Sequence, residues 1–245
     1  MRLGLFSDVH ANFEAMMAVA DGYTDKHCER YYCLGDVVGY GASPQECADF
    51  VREVAEVTVV GNHDAAVAGL MDYQFYYEAA RRALDLHGSW ISSENKSWLA
   101  KLPYLQAFPE WDMQLCHGSP LRVEEFSYIF VVEQARECLQ IWDTLPQLTV
   151  IGHSHLCKVF ELTRDKAIEL PADSVTLKPE SKYIISAGSV GQPRDFDNRA
   201  AYTVFDVESR HFQFHRRPYD IEAAARRIFE SDLDDGFGHR LFLGA

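Results

Sequence analysis

Five short strings in this 245-residue chain gather side chains that bind divalent metals: Asp8-Val9-His10, Gly35-Asp36, Gly61-Asn62-His63-Asp64, His117-Gly118-Ser119 and Gly152-His153-Ser154-His155. Their donors are carboxylate, amide and imidazole with no thiolate. Such a set suits manganese, iron, nickel or zinc in an open catalytic site better than a closed structural zinc. Taken singly, each string also has an ordinary structural reading. Gly-Asp is a common turn whose acid caps a helix, Asn and Asp tolerate left-handed backbone, and a lone histidine is often simply hydrogen-bonded or solvated. Taken together they read differently, because every string stands where an apolar run ends. Five of the ten histidines fall in these strings. His27, His87, His211, His215 and His239 have no comparable neighbours and read as structural or surface residues.

Asp8, His10, Asp36, Asn62, His117, His153 and His155 are more ligands than one four- to six-coordinate shell accepts. Two metals are therefore expected, and a carboxylate such as Asp36 can bridge ions roughly 3.5 to 4 Å apart. The charge of two divalent cations exceeds that of Asp8, Asp36 and one hydroxide, so the site would be net positive. A phosphate group is the fitting guest.

The elements that must position these residues alternate. Apolar runs at residues 3–6, 31–34 and 57–60 read as strands, each running into one of the strings. A helix follows Asn12, and Ser43-Pro44-Gln45-Glu46 has the signature of another, with Ser43 as cap, Pro44 at the first helical position and Glu46 completing a capping box. Two helices are expected within residues 72–102, one near 132–143 and one at 221–229. Strands are expected at 104–108, 113–116 and 148–151, then a hairpin-rich series read as antiparallel at 156–162, 183–186, 201–207 and 211–216. Residues 163–181 read as a surface excursion. No repeat or linker divides the chain, so one α/β domain over residues 1–245 is expected.

Composition limits the partners. Lys and Arg number 23 against 37 Asp and Glu, a net charge of −14, which disfavours bulk nucleic-acid binding; an anionic guest then needs a local positive source such as bound metal. Cys28, Cys33, Cys47, Cys116, Cys138 and Cys157 form no C-x-x-C pair, and read as reduced thiols of a cytoplasmic protein. No leader and no membrane span are indicated.

The series DVH, GDVVGYG, GNHD, HGSP and GHSH resembles the calcineurin-like metallophosphoesterase superfamily, in particular its small bacterial and archaeal phosphodiesterase branch. The later string from Gly188 through Gln192 and Arg194 to Asp195 is also similar to that branch. The resemblance implies a four-layer αββα sandwich, two mixed β-sheets face to face flanked by helices. It implies Asp8, His10 and His155 on one metal, Asn62, His117 and His153 on the other, and Asp36 between them, with manganese the expected ion. His63 matches a non-ligating histidine that contacts the phosphate beside Asn62 and protonates the leaving group, while a hydroxide held by the two metals attacks phosphorus in line.

One departure stands out. The protein-phosphatase branch carries an aspartate and an arginine in the GD loop where this chain has Gly39 and Tyr40. Arg194 is either a substitute phosphate clamp, through its planar fork of donors, or a partner of Asp195 or Asp197. The expected function is hydrolysis of small or nucleotide-like phosphodiesters. A phosphomonoesterase acting on metabolites or phosphoserine and phosphothreonine is the alternative, and a silent scaffold a third reading, which the complete ligand set disfavours.

Overall fold

The computed structural model describes residues 1–245. The first apolar run forms β1 (Arg2–Phe6), and α1 (Phe13–Asp25) follows, its first turn capped by the Asn12 side chain, which accepts from the Ala15 amide at 3.1 Å. β2 (Arg30–Cys33), α2 (Pro44–Val54) and β3 (Val57–Thr58) continue the alternation, with β1, β2 and β3 parallel. Pro44 opens α2 as expected, but the Ser43 side chain makes no capping bond and its Oγ is buried without a partner. The third strand is shorter than its apolar run, because Val60 turns away to bond Pro103 and Gly61 already caps α3 (Asn62–Val67).

Two helices, α4 (Glu78–Trp90) and α5 (Ser93–Leu99), fill the stretch read as helical, with Ser92 capping the second. Then come β4 (Leu105–Phe108), β5 (Met113–Cys116), the short α6 (Val132–Glu137) that runs on as a tighter turn through Ile141, and β6 (Leu148–Ile151). The closing half holds β7 (Cys157–Leu162), β8 (Ala167–Leu170), β9 (Ser174–Thr176), β10 (Lys182–Ala187), β11 (Ala200–Asp206), β12 (His211–Arg217), α7 (Ile221–Phe229) and α8 (Asp235–Leu243).

One sheet has the order β3-β2-β1-β11-β12-β9 and the other β4-β5-β6-β10-β7-β8. Alternation along each strand sorts the side chains into layers. Leu3, Leu5, Tyr32 and Phe205 of the first sheet meet Leu115, Val150, Val159 and Ile185 of the second in a buried core between them. On the outer faces, Phe6, Cys33 and Val204 pack against Met16, Val19 and Val51 of α1 and α2, and Ile151, Phe160 and Ile184 against Ala135 of α6. These are the expected four layers.

Three expectations are corrected. Residues 163–181 are not merely an excursion but supply the edge strands β8 and β9, pairing antiparallel with β7 and β12. β10, read as antiparallel, is antiparallel only to β7; it runs parallel to β6. α8 was not expected at all.

Candidate metal centre

All the candidate donors leave the carboxyl ends of parallel strands: Asp8 and His10 follow β1, Asp36 follows β2, Asn62 and His63 follow β3, His117 follows β5, and His153 and His155 follow β6. That crevice is where open α/β sheets bind ligands. All eight residues are buried and the fold brings them together.

The backbone that does so is strained. Asp8, His10, Asp36, His153 and His155 have φ of 55°, 47°, 55°, 66° and 60°, a left-handed conformation costing side-chain-bearing residues about 1–2 kcal/mol each. Cross-strand bonds hold part of it in place: the Asp8 amide donates to Gly35 O at 3.0 Å and the His10 amide to Asp36 O at 2.9 Å. Strain of this kind, fixed by its surroundings, gathers at functional sites.

Three imidazoles are aimed by their far nitrogens. Nδ1 of His10, His117 and His155 donates to the carbonyls of Val38, Leu34 and Gln192 at 3.0, 2.6 and 2.5 Å. Their Nε2 atoms therefore face inward, and with the ring proton held on Nδ1 those of His10 and His155 present lone pairs there. Those of His10 and His155 face each other 3.0 Å apart, with Asp8 Oδ1 3.7 and 3.3 Å away. Asp8 Oδ1 is itself buried with no hydrogen-bond partner. Two lone pairs and an orphaned carboxylate oxygen converging on one point repel one another unless a cation lies among them, so these residues fit a metal.

A second group adjoins it. Asp36 Oδ2 lies 3.3 Å from His117 Nε2 and 3.7 Å from His10 Nε2, reaching both groups, while its Oδ1 accepts from the His63 amide at 2.8 Å. Asn62 Oδ1 is 3.1 Å from His117 Nε2, and the Asn62 amide nitrogen donates to the Tyr76 hydroxyl at 2.6 Å, which fixes which way the amide faces. His153 completes this group; its ring stacks on Tyr128 with centroids 3.8 Å apart.

Protonation follows from the same crowding. Burial opposes a charge on His117, yet Asp36 overrides it and raises the pKa to about 9. Burial likewise favours a neutral Asp36, but His117 and His63 hold its carboxyl well below the usual range. Burial drives His63 and His153 down to about 3 and His155 well below its ordinary value. His117 thus carries a proton where a metal would sit.

His63 belongs to neither group alone. It lies within reach of His10 and Asp36, and its buried Nδ1 has no partner. Gly39, at φ 97°, lies so close that a Cβ there would collide with that nitrogen. Tyr40 packs its ring 4.6 Å from the rings of both His10 and His63. The GD loop thus offers His63 an aromatic face in place of an acid. Arg194 pairs with neither aspartate: Asp195 is bound by Arg216 and Asp197 by Arg199. Its guanidinium instead lies over Tyr40 at 5.8 Å, beside the Tyr40 hydroxyl and Gln192, with Nε buried and unpartnered.

Sequence reading missed several supports. Asp64 was in the GNHD string without a role; its carboxylate accepts from the amides of Val37, Val38 and Gly61 at 2.9, 3.2 and 3.2 Å, tying the Asp36 loop to α3. Tyr76 and Tyr128 carried no signal, since they reach the site from irregular loops. Two hollows adjoin across Tyr40, Tyr77 and Tyr128: one of about 480 Å³ touching Asn62, His63 and His153, and one of about 380 Å³ touching Arg194 and Arg240.

Comparison with known families decides the relationship. The model of the calcineurin-like phosphoesterase superfamily domain matches residues 1–210. The chain belongs to the calcineurin-like phosphoesterase superfamily. This phosphoesterase is 32% identical over 244 residues to an uncharacterized protein of Methanocaldococcus jannaschii, covering 99% of the chain and 98% of that relative. Its structure is similar to that of a metallophosphoesterase from Sphaerobacter thermophilus, with a TM-score of 0.84 and 30% identity over 100% of this chain and 99% of that one. The same fold occurs in a hypothetical protein from Pyrococcus horikoshii, with a TM-score of 0.78 and 15% identity over 100% and 98% of the two chains. The protein is a phosphoester-hydrolysing enzyme of a dimetal-dependent family, and its Asp and His groups are able to bind metal. No helix is long and apolar enough to cross a membrane.

Proposed function

We propose that this phosphoesterase hydrolyses small or nucleotide-like phosphodiesters with two divalent cations, manganese the expected pair. Asp8, His10 and His155 would hold one, Asn62, His117 and His153 the other, and Asp36 both. The observation that carries this is the meeting of inward lone pairs at an orphaned Asp8 oxygen, with Asp36 reaching both groups. When bound, the cations supply Lewis acidity, activating water near neutral pH and holding charge that develops on the phosphate oxygens.

The chain's own residues do the rest. Asn62 and His63 border the hollow in which the phosphate would lie. An anionic phosphate beside His63 opposes the desolvation that keeps the ring neutral, so the ring gains the proton it passes to the leaving oxygen. Arg194, free of its neighbouring aspartates, is placed to orient a phosphate oxygen. A diester is favoured because two adjoining hollows, one at Asn62 and His63 and one at Arg194, give each arm a place, and because Arg194 stands without the GD-loop arginine that would help hold a dianionic monoester.

Residues 1–245 are taken as one unit: the segment beyond the family match packs Ala224, Ile228, Phe237 and Leu241 against Tyr40 of the GD loop. A cytoplasmic setting is supported by six free cysteines, four of them buried. The test is turnover of bis(4-nitrophenyl) phosphate against 4-nitrophenyl phosphate by manganese-loaded protein. Faster diester hydrolysis, abolished by a chelator, is expected; preference for the monoester overturns the assignment.

A further inference from the structure

The hollow beside Asn62, His63 and His153 is walled by rings. Tyr40, Phe75, Tyr76, Tyr77, Phe126 and Tyr128 line it, and no lysine or arginine does. Phe75, Tyr77 and Tyr128 are 74%, 54% and 44% exposed. Large apolar side chains left in water forgo roughly 1.5–3 kcal/mol each on full burial, and single exposed ones need no explanation, whereas several grouped at one site mark a binding surface. Here three stand on the rim of the reaction centre. The rings are also braced: Tyr128 lies flat on His153 with an interplanar angle of 15°, and Phe75 meets Tyr76 edge-on at 4.9 Å between centroids. An aromatic wall without cations suits a planar, uncharged group rather than a further phosphate.

The wall has a polar edge as well. Ser127 and Glu125 border the same hollow, and the Glu125 carboxylate is paired with Arg122 at 3.1 Å. A carboxylate and a hydroxyl beside stacked rings suit a ring system that carries its own hydrogen-bonding edge, as a nucleobase does and a phenyl ring does not. The volume of about 480 Å³ lies within the roughly 300–1,000 Å³ of sites that enclose a small organic ligand. The cations Arg194 and Arg240 lie in the other hollow, across Tyr40, Tyr77 and Tyr128, which line both.

We propose that one arm of the substrate is a nucleoside, its base stacked among Phe75, Tyr77 and Tyr128 while the phosphate lies at Asn62 and His63. This rests on the phosphoesterase reading above and names its substrate class. The test compares two ligands that differ only in the base: adenosine 5′-monophosphate and ribose 5-phosphate, titrated calorimetrically into manganese-loaded protein. The nucleotide binds roughly tenfold or more tightly, the scale of base stacking on aromatic side chains. That ratio falls toward one in Phe75→Ala and in Tyr77→Ala, two exposed positions whose truncation leaves the core untouched. Equal affinities in the wild type, or an unchanged ratio in both variants, overturn the proposal. Tighter binding of O-phosphotyrosine than of the nucleotide overturns it in favour of a tyrosyl arm. Turnover of bis(4-nitrophenyl) phosphate by the same samples is read separately. Its absence sinks the diesterase reading, while the affinity ratio still decides the nucleoside.

Discussion

Asp36 is the one side chain that reaches both donor groups, with a single oxygen 3.3 Å from His117 and 3.7 Å from His10. Replacing it by Asn keeps the shape and removes the charge, so Asp36→Asn is expected to lower the content of both metals, measured by elemental analysis after dialysis. His63→Ala is expected to keep its metal and lose roughly 100-fold or more in turnover, the scale of lost acid catalysis. Metal loss in that variant would move His63 among the ligands. Tyr76 acts one step further out, accepting from the Asn62 amide and so presenting the Asn62 oxygen inward. Tyr76→Phe frees that amide to turn and is expected to weaken one of the two metals by roughly 10-fold, within the range for such supporting groups. Titration should then show two unequal affinities, and an unchanged titration would leave Tyr76 without that role.

At the scale of elements, the GD loop is held from behind by α4. The Gly39 amide donates to His87 Nδ1 at 2.9 Å and His87 Nε2 donates to Gly41 O at 2.8 Å, an arrangement only the neutral ring can make. Burial pushes the His87 pKa down to about 3, below the value of about 6.5 in an unfolded chain. Between those values the unfolded chain takes up a proton that the folded chain refuses, so stability falls as pH falls through that window, by up to about 1.4 kcal/mol per pH unit for this group. His87→Gln supplies an acceptor and a donor without titrating. Its urea midpoints between pH 6.5 and 4 should therefore fall less steeply than those of the wild type, and equal slopes would deny His87 this part. His87 was legible only as a histidine with no chemical neighbours, because its partners are backbone groups nearly fifty residues away. The candidate metal donors were legible because each sits within a few residues of an apolar run, and the parallel strands carry them to one edge. α8 was hidden by Gly236 and Gly238, which interrupt its helical pattern. β8 and β9 were hidden because they are short edges, and β8 lacks inside-outside alternation, with Ile168 39% exposed. Ser43 had the right type and spacing for a cap, but its amide is drawn to Ala11 O and its hydroxyl is left inside.

Only the whole molecule sets the field through which a substrate arrives. The candidate donors come from both sheets and meet at their shared carboxyl edge, so a metal-loaded centre would be a positive point on a chain whose net charge is −14. Two divalent cations would offset only four of those charges. Away from the site an anionic ester therefore meets repulsion, and attraction would begin only near the bound metals and Arg194. Salt shortens the reach of exposed charges to roughly 10 Å at 0.1 M, which screens the diffuse surface more than the buried centre. Raising ionic strength from about 10 to 150 mM should thus increase kcat/KM for an anionic diester by roughly twofold or more while kcat stays level, since chemistry occurs inside the screened-off site. A dianionic monoester should respond more steeply than a monoanionic diester. Stopped-flow or steady-state rates in a non-coordinating salt would measure both. A kcat/KM that falls with salt would mean that the positive centre, not the acidic surface, governs approach, and that the crevice focuses its field outward past the surrounding carboxylates.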